Sequence, residues 1–167
     1  MNLFFLRHGI AVDRRTSRHA SDAERPLTPK GRRQLRKTAT AIHGMKLRFD
    51  VILSSPLVRA QQTAEMVADE LRLKQRLVLA DELKPGGNAK KLVQRINRLK
   101  PIPENLLLVG HEPNLGELIS LFLTGRMDAG ITLKKGGMAK LETDCLRVGK
   151  HATLAWLLTP AQMKLMA

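Results

Sequence analysis

The sequence predicts an α/β fold: a three-layer sandwich with a mostly parallel central sheet flanked by helices. Short apolar runs alternate with longer amphipathic stretches along the chain, which is the pattern of strands and helices in such folds. Hydrophobic residues make up 43% of the 167 residues, enough for a buried core. We find no internal repeat and no linker-like stretch, so we expect one domain over residues 1–167.

The predicted strands are short apolar or alternating runs bounded by polar residues, glycine or proline. In chain order they cover residues 2–6, 50–53, 77–79, 105–109, 138–142 and 151–158. The first and fourth end directly at Arg7-His8-Gly9 and Gly110-His111. The run at 2–6 is expected to be a buried strand, and the run at 105–109 a compact strand.

The predicted helices have apolar residues at three- and four-residue spacing. In chain order they cover residues 28–44, 55–71, 88–99 and 113–123, with a short helix after Pro160. The first has the clearest start, because Thr28 can cap it and Pro29 suits the first helical position. Gly31 in its first turn costs about 1 kcal/mol relative to alanine. Such a glycine often marks a close approach of backbone, although simple tolerance is an equal explanation.

The composition restricts the partners and the compartment. Twenty-nine lysines and arginines against 15 acidic residues give a net charge of +14, which favours anionic partners. The basic residues are spread along the chain and form no long basic tail. One cysteine, no signal peptide and no membrane-length apolar run favour the cytoplasm. Few aromatic residues make base stacking, and hence nucleic-acid binding, unexpected.

Three segments place chemically active residues where predicted strands end: residues 7–9, 54–59 and 110–113. Ligands in α/β folds bind beyond the carboxyl ends of the strands. Arginine offers a planar fork that matches phosphate oxygens. A neutral imidazole is nucleophilic near pH 7 and can hold a phosphoryl group. Two histidines and two arginines at this edge therefore suit phosphoryl transfer.

The same segments resemble the histidine phosphatase (phosphoglycerate mutase-like) superfamily. The matching residues are Leu6 to Gly9, Asp22, Arg25 to Thr28, Gly31, Ser54 to Pro56, Arg59-Ala60, Thr63-Ala64 and Gly110 to Pro113. Within it, the likeness is closest to the SixA-type phosphohistidine phosphatases, through 25–28 and 82–85. The resemblance implies a phosphoglycerate mutase-like fold, and the short chain leaves no room for a large lid insertion.

The resemblance implies a role for each matched residue. His8 would be the nucleophile, Arg7 and Arg59 would bind phosphate, and His111 would be both a phosphate-binding and a catalytic residue. Glu82 follows a predicted strand where the superfamily often places a proton donor, but a surface glutamate explains it equally well. Such an acid is needed because an alkyl phosphate has a poor leaving group that must be protonated. Asp13 and Glu112 are weaker candidates for this acid.

The function that follows is dephosphorylation, through phospho-His8, of phosphohistidine on a signalling protein. One alternative is a general phosphomonoesterase or sugar-phosphate phosphatase of the same superfamily. A second is a non-catalytic basic module that binds phosphoproteins or nucleic acid. We expect no cofactor and no metal, since no group of residues has metal-ligand spacing. His19, His43 and His151 have no motif context and are predicted to be structural or on the surface.

Overall fold

A computed structural model describes residues 1–15 and 21–167 of the chain. The strands are β1 (Asn2–Arg7), β2 (Val51–Ser54), β3 (Leu77–Leu79), β4 (Asn105–Gly110), β5 (Met138–Glu142) and β6 (Thr153–Leu158). The helices are α1 (Pro29–Gly44), α2 (Val58–Glu70), α3 (Ala89–Asn97), α4 (Asn114–Thr124) and α5 (Pro160–Lys164). Three short 3-10 turns lie at Asp22–Glu24, Lys74–Arg76 and Asp81–Leu83.

The strands form one sheet in the order β3-β2-β4-β1-β5-β6. The first four in this order are parallel, while β5 runs antiparallel to both of its neighbours. The mostly parallel sheet is therefore confirmed. Strand β6 is again parallel to β1, because two antiparallel steps separate them. The carboxyl ends of β1, β2, β4 and β6 consequently lie at the same edge of the sheet.

The helices cover both faces of the sheet, as the alternation of side chains along β1 shows. Leu3 and Phe5 point to one face and pack in a core with α3 and α4. Phe4 and Leu6 point to the other face and pack with α1, α2 and α5. Both faces of β1 are buried, which explains its unbroken apolar sequence. The predicted three-layer fold is confirmed.

Helix α1 begins as predicted and fixes the loop that follows β1. The Thr28 hydroxyl accepts a hydrogen bond from the Gly31 amide at 2.9 Å, which satisfies a free donor of the first turn. A Cβ at Gly31 would lie 2.1 Å from the Ile10 carbonyl oxygen. Gly31 is therefore a site of close backbone approach rather than a tolerated glycine.

Two helix starts differ from the predicted boundaries. Helix α2 begins at Val58, three residues after the predicted start at Ser55. The Ser55 hydroxyl accepts a hydrogen bond from the Leu57 amide at 3.3 Å, so residues 55–57 form a turn ahead of the helix. Helix α4 begins at Asn114, one residue after Pro113.

The histidines without motif context have ordinary surroundings where the structure describes them. His43 is exposed on α1, and the rings of His151 and Phe122 form a T-shaped pair with their centroids 4.7 Å apart. His19 lies outside the described residues. Over 1–15 and 21–167, no helix has both the length and the apolar character needed to cross a membrane.

Candidate active site

The strand register brings the three predicted segments together. Arg7 of β1 pairs with Gly110 of β4, so His8 and His111 each follow one of two paired residues. The His8 amide donates to the Gly110 carbonyl at 3.0 Å, and the centroids of the two imidazole rings are 5.0 Å apart. On the other side of β4, the Ser55 amide donates to the Val109 carbonyl at 2.9 Å.

His8 is held as a neutral imidazole with a defined tautomer. Its Nδ1 lies 2.7 Å from the Gly9 carbonyl oxygen, and because a carbonyl only accepts, Nδ1 carries the proton. The lone pair is then on Nε2. Burial lowers the pKa of His8 to about 3, helped by the positive charges of Arg59, Arg7 and Lys135, while the bond to Gly9 acts in the opposite direction. His8 is therefore neutral near pH 7.

His111 has the same tautomer, with its proton on Nδ1. Its Nε2 lies 2.8 Å from the Ser55 hydroxyl, and that hydroxyl has no other acceptor in the described part of the chain, so we assign Ser55 as the donor. Nδ1 of His111 then carries the proton, and this atom is buried without a hydrogen-bond partner. Burial, followed by the charges of His8 and Arg59, lowers the pKa of His111 to about 3.

The two arginines each keep one buried donor free. One guanidinium NH2 group of Arg7 donates to the Leu133 carbonyl at 2.7 Å. Arg59 donates to Asp22 twice, to its carbonyl at 2.7 Å and to its carboxylate at 2.9 Å. In both arginines Nε is buried and has no partner among the described residues. Together with His111 Nδ1, three buried N–H donors lack an acceptor around His8.

Asp22 and Arg25 belong to this site, although no site role was predicted for them. The second carboxylate oxygen of Asp22 accepts from Arg25 at 2.9 and 2.6 Å. Burial raises the pKa of Asp22, but the bonds and charges of Arg25 and Arg59 outweigh it and lower the pKa below its usual value. Asp22 thus bonds to both Arg25 and Arg59, although it lies 37 residues before Arg59 in the chain.

The loop between α4 and β5 forms another wall of the site. The Gly136 amide donates to the carbonyls of Arg7 and His8 at 3.0 and 3.2 Å, and its φ of 78° suits glycine. The neighbouring Lys135 is close enough for its charge to lower the pKa of His8. The sequence of this loop predicts only a turn at residues 136–137, so it does not predict that Lys135 and Gly136 lie beside His8.

Glu82 makes no hydrogen bond to the histidine pair in the described part of the chain. It lies in the 3-10 turn after β3, with 19% of its side chain exposed. One carboxylate oxygen is buried without a hydrogen bond and lies 3.6 Å from the guanidinium of Arg95.

The other two candidate acids, Glu112 and Asp13, each accept a hydrogen bond from a backbone amide. Glu112 accepts a hydrogen bond from the Leu133 amide at 2.9 Å. Burial raises the pKa of Glu112, while this bond and the charge of Arg7 act against the increase. Asp13 is exposed and accepts from the Arg15 amide at 2.7 Å.

In the described part of the chain, no three His, Cys, Asp or Glu side chains are grouped so that they could hold a metal ion. The donors around His8 are nitrogen N–H groups, which bind anions.

Comparisons with known proteins agree with this chemistry. Residues 3–84 match the model of the histidine phosphatase superfamily (branch 1). An uncharacterized protein of Picosynechococcus sp. is 37% identical over 152 residues, which cover 90% of each chain. The phosphohistidine phosphatase SixA of Escherichia coli is 29% identical over 167 residues, covering 99% of this chain and 98% of that protein.

Solved structures give the same result. The structure of the protein histidine phosphatase SixA complexed with tungstate has a TM-score of 0.81 and 29% identity. The superposition covers 96% of this chain and 98% of that one. The chain therefore belongs to the histidine phosphatase superfamily, and it is a phosphatase. The predicted resemblance and the predicted enzyme class are confirmed, and the non-catalytic binding module is not supported.

Proposed function

We propose that His8 is the nucleophile of a two-step phosphatase reaction. The observation that carries this proposal is a buried neutral imidazole, with its lone pair on Nε2, beside three buried N–H donors without acceptors. A buried donor without a partner is costly, by about 1–3 kcal/mol. A phosphoryl group supplies three non-bridging oxygens, which match Arg7 Nε, Arg59 Nε and His111 Nδ1 in number.

The proposed reaction uses the lone pair of His8 and the three N–H donors in two steps. Nε2 of His8 attacks phosphorus and forms an N–P bond, while the bond from phosphorus to the leaving group breaks and the leaving group takes a proton from solvent. Arg7, Arg59 and His111 stabilise the charge on the phosphoryl oxygens throughout. Water then attacks phosphorus and gives a proton to solvent, the N–P bond breaks, and its electron pair returns to Nε2. Inorganic phosphate, which now carries the oxygen of the water, leaves.

Phosphohistidine on a signalling protein is the proposed substrate. A leaving imidazole departs from a labile P–N bond, so it needs less help from an acid than an alkoxide does. This agrees with a histidine pair that accepts no hydrogen bond from a carboxylic acid in the described residues. The relative SixA is named a phosphohistidine phosphatase, and tungstate, which is bound in the SixA structure, is a tetrahedral oxyanion like phosphate. A cytoplasmic location stays a prediction.

A phosphomonoesterase is the second candidate, and Glu82 is the observation that favours it. The buried carboxylate oxygen of Glu82 has no hydrogen bond, and its contact with Arg95 is long for an ion pair, at 3.6 Å. A side-chain rotation toward substrate would therefore break no strong interaction. In that position Glu82 would protonate the leaving oxygen of a phosphate ester.

A substrate panel with three variants tests both candidates. Wild-type protein is given a phosphohistidine peptide, a phosphoserine peptide and sugar phosphates, alongside H8A, E82Q and the control D81N. Asp81 is exposed in the same turn as Glu82, so D81N reports a general effect of changing that turn. We expect the phosphohistidine peptide to be the best substrate, with H8A inactive and E82Q close to D81N.

The phosphoenzyme provides a direct measurement. Quenching the wild-type reaction with alkali should trap labelled phosphate on the protein at His8, since phosphohistidine survives alkali. Normal turnover by H8A would exclude the mechanism. Good turnover of phosphate esters, with a loss of at least about 100-fold in E82Q alone, would favour the phosphomonoesterase.

A further inference from the structure

A basic groove lies between α1 and α5, outside the site already described. Its cavity has a volume of about 570 Å³. We call it the α1–α5 groove. The residues that line it include Lys30, Arg33, Gln34, Lys37, Pro160 and Lys164. Four of these side chains are cations, and no carboxylate lines the groove.

The four cations have no acidic partners within the chain. None of them forms an ion pair over residues 1–15 and 21–167, and residues 16–20 contain no Asp or Glu. Four like charges that share one concave surface repel each other within about one Debye length. Such a surface concentrates anions, and an anionic ligand would relieve the repulsion.

The α1–α5 groove opens at the same edge of the sheet as His8. Helix α5 starts directly after β6, whose carboxyl end lies at that edge. Met138 pairs with Leu6 on one side and Leu158 on the other, so the end of β6 is about 10 Å from the end of β1, or two strand spacings.

A hydrogen-bonded path connects the groove to the active-site wall. Gln34, which lines the groove, donates to the Lys135 carbonyl at 2.8 Å. The next amide, Gly136, donates to the His8 carbonyl. The groove and the phosphoryl site are thus neighbouring parts of one surface.

The dimensions of the groove select a protein as its occupant. Lys30 to Lys37 span seven residues of α1, or about 10 Å along the helix, in addition to the distance from His8. A small phosphate ester bound at His8 cannot reach so far, whereas the surface around a phosphorylated side chain can. No aromatic residue lines the groove, so it offers no stacking platform for single-stranded nucleic acid.

We propose that the α1–α5 groove binds an acidic segment of the phosphoprotein whose phosphoryl group reaches His8. This inference rests on the proposed function and names the charge of its substrate protein. Aspartate and glutamate side chains would pair with Lys30, Arg33, Lys37 and Lys164, which raises the association rate and orients the substrate.

Two phosphohistidine peptides test the proposal. They are identical except that four flanking residues are Glu in one and Gln in the other. The groove variant is R33E/K37E, and the matched control is K90E/K91E, which makes the same charge change on exposed residues of α3, across the sheet from α1. p-Nitrophenyl phosphate reports the chemistry alone, since it does not extend beyond the site.

The wild-type protein should prefer the Glu peptide by about three- to thirty-fold in kcat/KM, the range for two or three exposed ion pairs. The preference should appear in KM, decrease with salt, persist in K90E/K91E and vanish in R33E/K37E, with p-nitrophenyl phosphate turnover unchanged in both variants. Equal turnover of the two peptides by wild type, or an equal loss of preference in both variants, would overturn the groove proposal alone.

Two further results would also decide the matter. Failure of wild-type protein to hydrolyse either peptide would overturn the proposed function and the groove proposal with it. Loss of binding to duplex DNA or to phosphatidylglycerol vesicles in R33E/K37E, with the peptide preference intact, would reassign the groove to that polyanion.

Discussion

Acid should destabilise the folded chain through His8 and His111. Both imidazoles are neutral when folded because their pKa is lowered to about 3, whereas an unfolded histidine titrates near pH 6.5. As the pH falls below about 6.5, the unfolded chain binds two protons that the folded chain does not. Stability is therefore complete above about pH 6.5 and decreases down to about pH 3, where the folded state also takes up these protons.

The size of the effect follows from linkage. Each histidine contributes about 1.4 kcal/mol per pH unit within this window. Between about pH 6.5 and 4.5, the pair should therefore lower the free energy of unfolding by about 5 kcal/mol. This loss is comparable to the whole stability of many domains, about 5–15 kcal/mol.

Urea unfolding over about pH 4.5 to 7.5 measures this slope, in buffers without phosphate or sulfate, since either anion would bind the folded site. H8N retains an amide that can donate to Gly9, and H111Q retains one that can pair with Ser55. Each should reduce the slope by about 1.4 kcal/mol per pH unit, and H43Q, at the exposed histidine of α1, is the control. Slopes that stay equal in wild type, H8N and H111Q would refute the assignment of two buried neutral imidazoles.

Two further substitutions have expected outcomes. G31A should lower the free energy of unfolding in urea by about 2–4 kcal/mol, because its Cβ would lie 2.1 Å from the Ile10 carbonyl oxygen. Helix propensity alone predicts a gain in stability of about 1 kcal/mol. G44A is the control, since the atom nearest to its Cβ would be 3.4 Å away. D22N should lower the melting temperature, and inorganic phosphate should raise that temperature more in D22N than in wild type, because Arg59 loses a charged partner that phosphate can replace. A smaller phosphate-dependent rise in melting temperature than in wild type would contradict this role of Asp22.

The sequence predicts the secondary structure and the meeting of the three motifs for one physical reason. Buried parallel strands are apolar on both faces, so β1 and β4 stand out as unbroken apolar runs. Their carboxyl ends share an edge, which places His8 and His111 at that edge, and the pairing of β1 with β4 then brings them side by side. The edge of the sheet that carries His8 and His111 was thus predictable from periodicity and from the residues that follow each strand.

Pairings across the chain were not predictable in this way. The contact of Asp22 with Arg59 joins a 3-10 turn to a helix, and no local pattern specifies it. Lys135 lies in a loop whose only sequence signal is a pair of glycines. Glu82 is placed correctly after a strand, but no local pattern specifies its contact with Arg95 of α3. Side-chain direction in loops and turns is set by tertiary contacts, which the sequence alone does not define.

The acid sensitivity of the fold and the proposed nucleophilicity of His8 have the same origin. A protonated His8 would have no lone pair on Nε2, and its charge would add to those of Arg7 and Arg59. Burial favours the neutral ring, so in the proposed mechanism the arginines would supply the positive charge that binds phosphate and the histidine the electron pair that attacks it. A more exposed His8 would make the fold more tolerant of acid and would be protonated in a larger fraction of molecules near neutral pH. The acid-dependent slope of unfolding is thus a measure, without any substrate, of how completely the site keeps the proposed nucleophile unprotonated.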